Sequence, residues 1–290
     1  MNSVLTNLPT LGVGIGFREA FRPHVFRHRS EVDFLEIIAD HYFDPTSIKD
    51  AELSTLARQF PLVPHGLSLS LGSAEGIDPA YLDRLARLVR RLSPPWWSEH
   101  VSFTRAGGRE IGHLTPLPLN QESLQAITSN VRIVQARIET PLILENITRP
   151  FEYQINERDE ADFLTELIES TDTGLLLDVT NLYINSVNHR FDPIQFLHRL
   201  PAERIVQLHF VGGHFEGEQL IDSHSRATPE EVWQLMEEVV KIAPVKGLLL
   251  ERDENMPPFD ELIAELDRAR ELCARYGRIP ACSVSGDLES

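Results

Sequence analysis

Short apolar runs recur along the chain at fairly regular intervals. There are eight of them, and most are apolar almost without interruption rather than alternating with polar residues. Continuous runs of this length are typical of parallel strands, because such strands are buried on both faces of their sheet. They predict eight buried strands. The eight runs lie at residues 11–16, 33–39, 62–68, 96–103, 141–147, 173–180, 205–211 and 246–252.

The segments between these runs have the three- and four-residue apolar spacing of a helix face. In three places an N-cap residue precedes a proline, at Asp78-Pro79, Asp192-Pro193 and Thr228-Pro229. Each pair predicts that a helix begins at the proline, because proline is well tolerated at the first helical position. The main predicted helices cover residues 51–60, 79–92, 119–139, 158–170, 193–200, 229–242 and 259–276.

Strand and helix alternate eight times, which is the pattern of a parallel α/β fold. Eight units favour a closed (β/α)8 barrel, or TIM barrel, over an open sheet. The phrase GVGIGF at residues 12–17 lacks the third glycine of a dinucleotide-binding fingerprint, so no Rossmann fold is indicated. No Pro-, Gly- or Ser-rich linker divides the chain. We therefore predict one TIM-barrel domain over residues 1–277 and a tail over residues 278–290.

Composition narrows the class of protein. Of the 290 residues, 42% are hydrophobic and 24% are charged, which is ordinary for a globular domain. The 27 basic and 44 acidic residues give a formal net charge of −17. Such a charge repels phosphate backbones at long range, so we expect no nucleic-acid partner. No apolar run is long enough to span a bilayer and no signal peptide is evident, so we expect no membrane association.

The cysteines and serines do not indicate nucleophilic catalysis. Cys273 and Cys282 both lie near the C-terminus, too late in the chain to be persuasive nucleophiles. Two late cysteines also do not make a disulfide framework, which favours a reducing cytoplasm as the location. Ser68 and Ser70 lie near His65, but no GxSxG nucleophile elbow surrounds them, so a serine hydrolase is not indicated.

The residues that follow the apolar runs provide the candidate chemistry. In a parallel barrel the carboxyl ends of the strands and the loops after them form the face on which catalytic residues lie. The first two runs lead to Arg18-Glu19 and to Asp40-His41. The six later runs all deliver His, Asp or Glu at this end, as His65, Glu99-His100, Glu145-Asn146, Asp178, His209 and Glu251-Arg252-Asp253.

A charged side chain at the end of a buried strand is costly unless it is paired or bound to a metal. Several carboxylates converging on one rim would also repel one another, and bound cations are the simplest source of compensating charge. Imidazole nitrogen combined with carboxylate oxygen suits iron, manganese or zinc, whereas the lack of nearby cysteine disfavours a closed structural zinc site. The strand ends therefore predict a site for several metal ions.

Residues after the sixth and seventh strands extend this ligand set. Asn181 follows Asp178 by three residues, and Asp222-Ser223-His224 offers an oxygen and a nitrogen ligand from one turn. We predict a trinuclear arrangement in which Glu145 bridges the first two groups. The groups are His65, His100 and Glu145; Glu145, Asp178, His209 and Glu251; and Asn181, Asp222 and His224. Residues predicted to orient these ligands from outside are His214, Asp253 and Asn146.

Each of these residues taken alone also has a structural interpretation. A single histidine at a strand end is commonly a hydrogen-bonded structural residue, and Glu99-His100 is compatible with an ion pair inside the barrel. Asp178 is equally suited to capping the helix that follows it. The turn that contains Asp222 is compatible with an exposed loop. The coincidence of all these residues at one rim favours the metal site.

The same residues lie in ordered motifs that resemble a known family. The motifs are PHGLSLSLGS, SEHVSF, LILENI, GLLLDVTNLYINSVNH, QLHFVGGH, IDSHS and LLLERDENMPPFDEL. In this order they are similar to the multinuclear non-haem iron-dependent oxidative enzymes, a group that includes the iron subunit of methanobactin biosynthesis. The resemblance covers about residues 11–276, nearly the whole chain.

The resemblance implies a TIM barrel related to xylose isomerase, with two or three irons in a mixed Fe(II)/Fe(III) state and O2 as co-substrate. It implies oxidative modification of cysteine residues in a ribosomally made precursor peptide. It also implies a partner protein that recognises the leader of that peptide. The ligands implied by motif are His65, His100, Glu145, Asp178, Asn181, His209, Asp222, His224 and Glu251, the residues that the strand ends had already selected.

The sequence departs from the family pattern in three places. After the second run it has Asp40-His41-Tyr42 where the family often has Glu-Asn-Tyr, and after the sixth run Thr180 replaces an asparagine. The loop after the seventh run reads Phe-Val-Gly-Gly-His rather than Leu-Ala-Gly-His. These changes leave the implied ligands intact and put the substrate pocket in question.

The barrel and ligand types leave alternatives open. Metal-dependent sugar isomerases and phosphodiesterases of the endonuclease IV type use the same barrel and similar ligands. Iron with a visible charge-transfer band would favour the oxidase, and zinc with activity on abasic DNA would favour the nuclease. A non-catalytic metal-binding subunit is a further alternative, indicated by a site without an open coordination position.

Overall fold

The computed structural model describes residues 3–279, and its centre is a closed barrel of eight parallel strands. The strands follow one another around the barrel in chain order, and the last pairs with the first, where Gly12 lies beside Gly247. The predicted (β/α)8 barrel is therefore confirmed. The strands are β1 (Gly12–Gly16), β2 (Leu35–Ile38), β3 (Leu62–His65), β4 (Trp97–His100), β5 (Leu142–Glu145), β6 (Gly174–Asp178), β7 (Ile205–Phe210) and β8 (Gly247–Leu250).

Helices connect the strands on the outside of the barrel. They are α1 (Ser3–Thr6), α2 (Arg22–Arg27), α3 (Ser47–Gln59), α4 (Pro79–Leu92), α5 (Gln121–Arg137), α6 (Glu160–Thr171), α7 (Val179–His189), α8 (Pro193–Leu197), α9 (Glu230–Ile242) and α10 (Phe259–Arg275). Short 3-10 turns lie at Glu19–Phe21, Ala39–Tyr42 and Ala202–Arg204. Among residues 3–279, no helix is both long and apolar enough to cross a bilayer.

Two of the three predicted helix starts are confirmed. The carboxylates of Asp78 and Asp192 accept hydrogen bonds from the first turns of α4 and α8, each of which begins at the following proline. The start predicted at Thr228-Pro229 is wrong, because the cap position is Pro229 and α9 begins one residue later. The N–H of Thr228 instead donates to the carboxylate of Glu265, which holds this residue outside the helix.

Two antiparallel hairpins rise from the carboxyl ends of the barrel strands. The first hairpin pairs Ser102–Ala106 with Arg109–Pro116 after β4, and the second pairs Gly212–Glu216 with Gln219–Arg226 after β7. The apolar run at residues 96–103 predicted one strand, but the barrel strand ends at His100 and the first hairpin begins at Ser102. The second hairpin was not predicted, and it contains both Asp222 and His224.

The run at residues 173–180 is also divided. Strand β6 ends at Asp178, and α7 begins at Val179 because the Asp178 carboxylate caps the new helix through the N–H of Asn181. The predicted strand therefore continued two residues too far, and α7 was missing from the predicted helices. Asp178 and Asn181 consequently lie at a rigid strand–helix junction rather than in a loop.

Side chains fill the barrel interior in two layers. Residues two positions apart on a strand point to the same face of the sheet. The residue two positions after an inward-facing residue therefore also faces the barrel interior. The lower layer is apolar and is joined by Leu5 and Leu8 from the N-terminal segment; its members are Phe34, Val63, Trp96, Ile143, Leu176, Val206 and Leu249. The upper layer, two residues further along six of these strands, is polar: Glu36, His65, Ser98, Glu145, Asp178 and Glu251.

The main apolar core lies between the barrel and the helices, and it extends to the end of the described chain. Cys273 on α10 is a buried free thiol within it. Arg278 donates hydrogen bonds to the carbonyl oxygens of Val240 and Lys241, and Ile279 is buried in the core. The rest of the predicted tail, residues 280–290 with Cys282, lies outside the described residues.

Candidate metal centre

The upper polar layer brings the first predicted group together. Nε2 of His65 and Nε2 of His100 each lie 3.4 Å from the same carboxylate oxygen, Oε2 of Glu145. The other ring nitrogens have partners of their own: Nδ1 of His65 is 2.8 Å from the Ser98 hydroxyl, and Nδ1 of His100 is 3.2 Å from the carbonyl oxygen of Gly66 and 3.4 Å from Oε1 of Glu99. One side of each ring is therefore held, and the other is directed at Glu145.

The second predicted group surrounds His209. Its Nδ1 lies 3.3 Å from Oε1 of Glu145 and 3.1 Å from Oε2 of Glu251. Asp178 completes the group, in which one ligand atom from every member lies within 4.8 Å of every other. Glu145 belongs to both groups, as a bridging carboxylate would.

In the third predicted group, Asp222 and His224 contact each other, whereas Asn181 contacts Asn146 instead. Oδ1 of Asp222 and Nε2 of His224 are 2.8 Å apart, so the two side chains from the second hairpin converge as expected. Asn181 donates its amide to the carbonyl oxygen of Asn146 at the foot of the same site. His224 also forms a possible metal-holding cluster with Glu251 and Asp253, which was not predicted.

Unpartnered polar atoms provide the test of whether these side chains fit metal ions. A buried polar atom without a hydrogen bond is costly, so native proteins contain few of them. Among the described residues, six of the nine predicted ligands nevertheless have such an atom: Oε2 of Glu145, Oδ2 of Asp178, Oδ1 of Asn181, Nδ1 of His209, Oδ1 of Asp222 and Nε2 of His224. The last two atoms face each other at 2.8 Å as an ion pair without hydrogen-bond geometry. Nitrogen and oxygen donors without thiolate suit iron, manganese or zinc, so the donor set fits the predicted metals.

The backbone at His224 supports the same interpretation. Its φ of +49° lies in the left-handed region, which a non-glycine residue adopts at a cost. The neighbouring Asp253 accepts hydrogen bonds from Nδ1 of His224 at 3.1 Å and from the Arg18 guanidinium. These contacts hold the strained residue so that its Nε2 is directed at Asp222.

The charges in the first two groups are strongly coupled. Burial alone would raise the pKa of Glu145, but the facing rings of His209, His100 and His65 outweigh it and hold the pKa at about 2. Burial alone would lower the pKa of His100, but Glu145 and Glu99 raise it to about 9. Without a metal, protons on imidazole therefore supply part of the positive charge that the carboxylates require.

Positive charge on His224 and His209 compensates only part of the repulsion at Asp178. Burial and the neighbouring carboxylates of Glu145 and Asp222 raise its pKa well above the usual value. Its Oδ1 caps α7, but its Oδ2 has no hydrogen bond. Asp178 therefore combines the helix-capping role that the sequence left open with a free oxygen directed at the cluster.

The three residues predicted to orient ligands differ in how they do so. Asn146 exchanges two hydrogen bonds with the backbone of Asp178, at 3.0 and 2.9 Å. Asp253 contacts His224 directly. His214 bonds the Ser223 hydroxyl at 2.9 Å, so its contact is with the residue between Asp222 and His224 rather than with either of them.

Three residues that contact the candidate ligands had no role predicted from the sequence, two of them buried and one, Arg18, partly exposed. Glu36 and Gln207 contact His209, and a guanidinium nitrogen of Arg18 lies 3.1 Å from Oε1 of Glu251. Glu36 and Arg18 come from elements that lacked a predicted ligand, whereas Gln207 lies on the same strand as His209. A signal for Glu36 was available, since it follows Phe34 by two residues and so shares its inward direction. Gln207 precedes His209 by the same spacing.

The substitution at Thr180 has a structural explanation. Its hydroxyl donates to the carbonyl oxygen of Val211 and accepts from the N–H of the same residue, each at 2.9 Å. It therefore ties α7 to the base of the second hairpin. The departure from the family pattern at this position leaves the cluster of candidate ligands in place.

Comparison with known proteins identifies similar sequences over nearly the whole chain. Residues 12–274 match the family described as RiPP precursor modification enzyme MbnB/TglH/ChrH. A UPF0276 protein of Caulobacter vibrioides is 36% identical over 286 residues, covering 96% of this chain and 100% of that protein. The UPF0276 protein VV3194 of Vibrio vulnificus is 36% identical over 264 residues, covering 90% of this chain and 91% of that protein.

Among solved structures, the barrel is similar to D-psicose 3-epimerase from Clostridium cellulolyticum H10. The TM-score is 0.59, with 13% sequence identity, over 92% of this chain and 99% of that chain. Identity this low shows a common fold.

Proposed function

Because the chain belongs to the family of RiPP precursor modification enzymes described as MbnB/TglH/ChrH, we propose that it is an oxidoreductase that modifies cysteine residues of a ribosomally made precursor peptide. The reaction would use two or three irons, in mixed Fe(II)/Fe(III) states, and O2. Family membership supports a peptide substrate. The choice of cysteine, iron and O2 rests on the resemblance of the sequence motifs and on the chemistry of the donor set.

One observation supports the proposal most strongly. Two groups of buried nitrogen and oxygen donors share Glu145, and donors in both groups lack hydrogen bonds. A protein that used these residues only for stability would pair them, because unpaired buried polar atoms cost about 1–3 kcal/mol each. The nine proposed ligands are His65, His100, Glu145, Asp178, Asn181, His209, Asp222, His224 and Glu251.

The two groups would hold their metals differently. His65, His100 and Glu145 offer three donors, a number that leaves coordination positions for other molecules in catalytic metal sites. The second group offers four donors, of which three are carboxylates. Bound iron would supply the oxidation chemistry and would favour the thiolate form of a substrate cysteine. We propose that the substrate binds beside the first group.

The protein's own residues contribute position and charge. Glu145 belongs to both groups. A guanidinium nitrogen of Arg18 lies 3.1 Å from Oε1 of Glu251 and places a permanent positive charge there. His65 and Glu145 are each only 2% exposed, so bulk water has little access to this part of the site. Low exposure strengthens electrostatic interactions and protects reactive species from side reactions.

The proposed partners are the cysteine-containing precursor peptide and a protein that recognises its leader segment. We place the reaction in the cytoplasm, because iron(II) and a free substrate thiol both require a reducing compartment. The buried thiol of Cys273 is compatible with this location. Its pKa is raised to about 12 by burial, so it would not compete with the substrate for metal.

Co-expression with candidate short cysteine-containing peptides, followed by mass spectrometry of the peptide, tests this function. The expected result is a mass change that requires O2 and iron and is lost when the peptide cysteine is replaced by serine. The Glu145→Gln variant serves as the enzyme control and should leave the peptide unmodified.

An unchanged peptide mass with iron-loaded protein, across the peptides encoded beside the gene and with any neighbouring partner protein present, would contradict the proposal. The same preparation should leave D-psicose unchanged, because similarity to the sugar epimerase extends to the fold alone. Conversion of a ketose, or cleavage of abasic DNA by zinc-loaded protein, would support the alternative enzyme classes instead.

A further inference from the structure

A second carboxylate lies directly behind His209, inside the barrel. Glu36 is only 3% exposed, and both of its carboxylate oxygens lie 3.1 Å from Nε2 of His209. This is the ring nitrogen opposite Nδ1, which faces Glu145 and Glu251. His209 therefore lies between the candidate metal cluster on one side and Glu36 on the other.

Gln207 has a fixed orientation beside this pair. The indole N–H of Trp96 is only a donor, and it lies 2.7 Å from Oε1 of Gln207. The amide NH2 of Gln207 must therefore point the other way, where it donates to Oε2 of Glu36 at 2.7 Å. Trp96, Gln207 and His209 are all fully buried, so water does not offer alternative partners.

These contacts decide which nitrogen of His209 bears the hydrogen. An unprotonated Nε2 would direct its lone pair at the Glu36 carboxylate, whereas a protonated Nε2 donates to it. Nδ1 has no hydrogen-bond partner among the described residues and faces two carboxylates of the cluster. When a cation lies between Nδ1 and these two carboxylates, a donor at Nε2 and a free lone pair at Nδ1 is the arrangement that satisfies both sides of the ring.

We infer that Glu36 is a positioning residue that fixes His209 as an Nδ1 metal ligand. The inference rests on the metal-binding part of the proposed function. Outer carboxylates commonly fix the tautomer of a ligating histidine and raise its basicity. The outer nitrogen of His65 faces the neutral Ser98 hydroxyl, and that of His100 faces the Gly66 carbonyl oxygen at 3.2 Å and Oε1 of Glu99 at 3.4 Å. Glu36 lies closer to His209, with both of its oxygens 3.1 Å from Nε2.

The neighbouring Gln207 explains why a carboxylate is needed at Glu36. Its amide nitrogen lies 3.1 Å from Nε2 of His209. If Glu36 lost its carboxylate, this NH2 could donate to Nε2 instead, and the ring hydrogen would move to Nδ1. The nitrogen that faces the cluster would then be blocked by a proton. Glu36 thus prevents a wrong tautomer that its own neighbour would otherwise stabilise.

The experiment measures metal affinity and ring tautomer in three variants. Zn²⁺ affinity is measured by chelator competition, and the ligating nitrogen of His209 by long-range 1H–15N NMR of zinc-loaded protein, with His209→Gln identifying its signal. Glu36→Leu should lower affinity at the second group by about 10- to 100-fold, the range typical of outer-sphere partners. Glu36→Gln, which preserves shape and folding, should lower it by a smaller factor.

The double variant Glu36→Gln with Gln207→Glu provides the decisive control. It moves the carboxylate to the neighbouring position, where it still lies against Nε2 of His209 and still accepts from Trp96. Affinity should recover to within about threefold of wild type, with Nδ1 again on the metal. Because the exchange would also restore the contacts that support stability, the ring tautomer of His209 is the readout that separates positioning from a structural role.

The possible outcomes separate this inference from the proposed function. If wild-type protein takes up no Zn²⁺, the metal-binding proposal fails. If wild-type protein binds Zn²⁺ but folded Glu36 variants bind it equally well, or His209 ligates through Nε2, the role assigned to Glu36 is overturned. A double variant as weak as Glu36→Gln would overturn it as well.

Discussion

Nε2 of His65 lies 3.4 Å from Oε2 of Glu145, and that oxygen has no hydrogen bond. The second ring nitrogen of His65 is held by Ser98, so the ring cannot turn toward another partner without losing this contact. An imidazole and a carboxylate fixed at this separation, both 2% exposed, leave space between them for a shared cation. The same carboxylate faces His100 and His209, which makes Glu145 the centre of the site.

Glu145→Gln should therefore remove more metal than any single histidine substitution. The variant loses a charged donor from both groups, whereas His65→Ala loses one neutral donor from one group. We expect metal content below about one ion per chain for Glu145→Gln and an intermediate value for His65→Ala. Elemental analysis of protein purified without oxygen measures both.

His198→Ala is the matched control, because His198 is an exposed histidine after α8 and belongs to none of the candidate ligand groups. Its metal content should equal that of wild type. Equal metal content in Glu145→Gln and wild type would remove Glu145 from the site.

Asp178→Asn should stabilise the metal-free protein while weakening metal binding. Burial and the carboxylates of Glu145 and Asp222 raise the pKa of Asp178, so its charge opposes folding when no cation is present. Asparagine retains the oxygen that caps α7 and removes the charge. We expect the free energy of unfolding in chelator to rise by about 1–2 kcal/mol, measured by urea titration.

The matched control for this prediction is Asp192→Asn, the same substitution at the exposed cap of α8. It should change the free energy of unfolding by less than about 0.5 kcal/mol. If Asp178→Asn destabilises the metal-free protein, the repulsion inferred at this site is wrong.

Glu160 should make stability depend on pH. This residue lines a cavity of about 420 Å3 beside Arg149 and His189, and burial raises the pKa of its carboxyl to about 7. The folded protein then retains a proton that the unfolded chain releases near pH 4.5. The Glu160 contribution therefore favours folding below about pH 4.5 and is lost as pH rises through 7.

Urea unfolding of wild type and Glu160→Gln between pH 5 and 8 measures this contribution. The free energy of unfolding of the variant minus that of wild type should increase by roughly 1–2 kcal/mol as the pH rises from 5 to 8. Glu169→Gln, at an exposed position on the same helix, should follow the wild-type curve. A constant difference between wild type and Glu160→Gln would contradict the raised pKa.

Thr180→Val should destabilise the protein without affecting metal binding. Valine has nearly the same shape but loses both hydrogen bonds to Val211, one of which satisfies a buried N–H. We expect thermal unfolding to show a loss of about 1–3 kcal/mol with metal content unchanged. A loss of metal with no loss of stability would instead place Thr180 among the residues that hold the cluster.

The barrel could be predicted from the sequence because its strands are continuous apolar runs and no other fold uses eight of them so regularly. Residues that end a strand, such as His65 and Glu145, could also be predicted as neighbours, since parallel strands end at one rim. The helix α7 was missed because its first turn, Val179-Thr180-Asn181, continues an apolar run and has weak helix propensity. Only the cap made by Asp178 marks its start.

Residues of the inner layer were harder to predict. Glu36 is a single acidic residue within an apolar run, and its inward direction follows only once Phe34 is known to face the interior. The second hairpin was missed because its strands contain glycine, serine and aspartate, which are poor strand formers. Its pairing brings His224 back toward Glu251, and a contact over that separation has no local sequence signal.

The positions of the metal ions provide the strongest test of the proposed site. Crystals of protein loaded with iron under anaerobic conditions allow anomalous scattering to be recorded on both sides of the iron absorption edge. We predict one iron peak bounded by His65, His100 and Glu145 and a second bounded by Glu145, Asp178, His209 and Glu251. A map without iron at the carboxyl ends of the barrel strands, or with iron only at other residues, would show that these side chains are not the metal ligands.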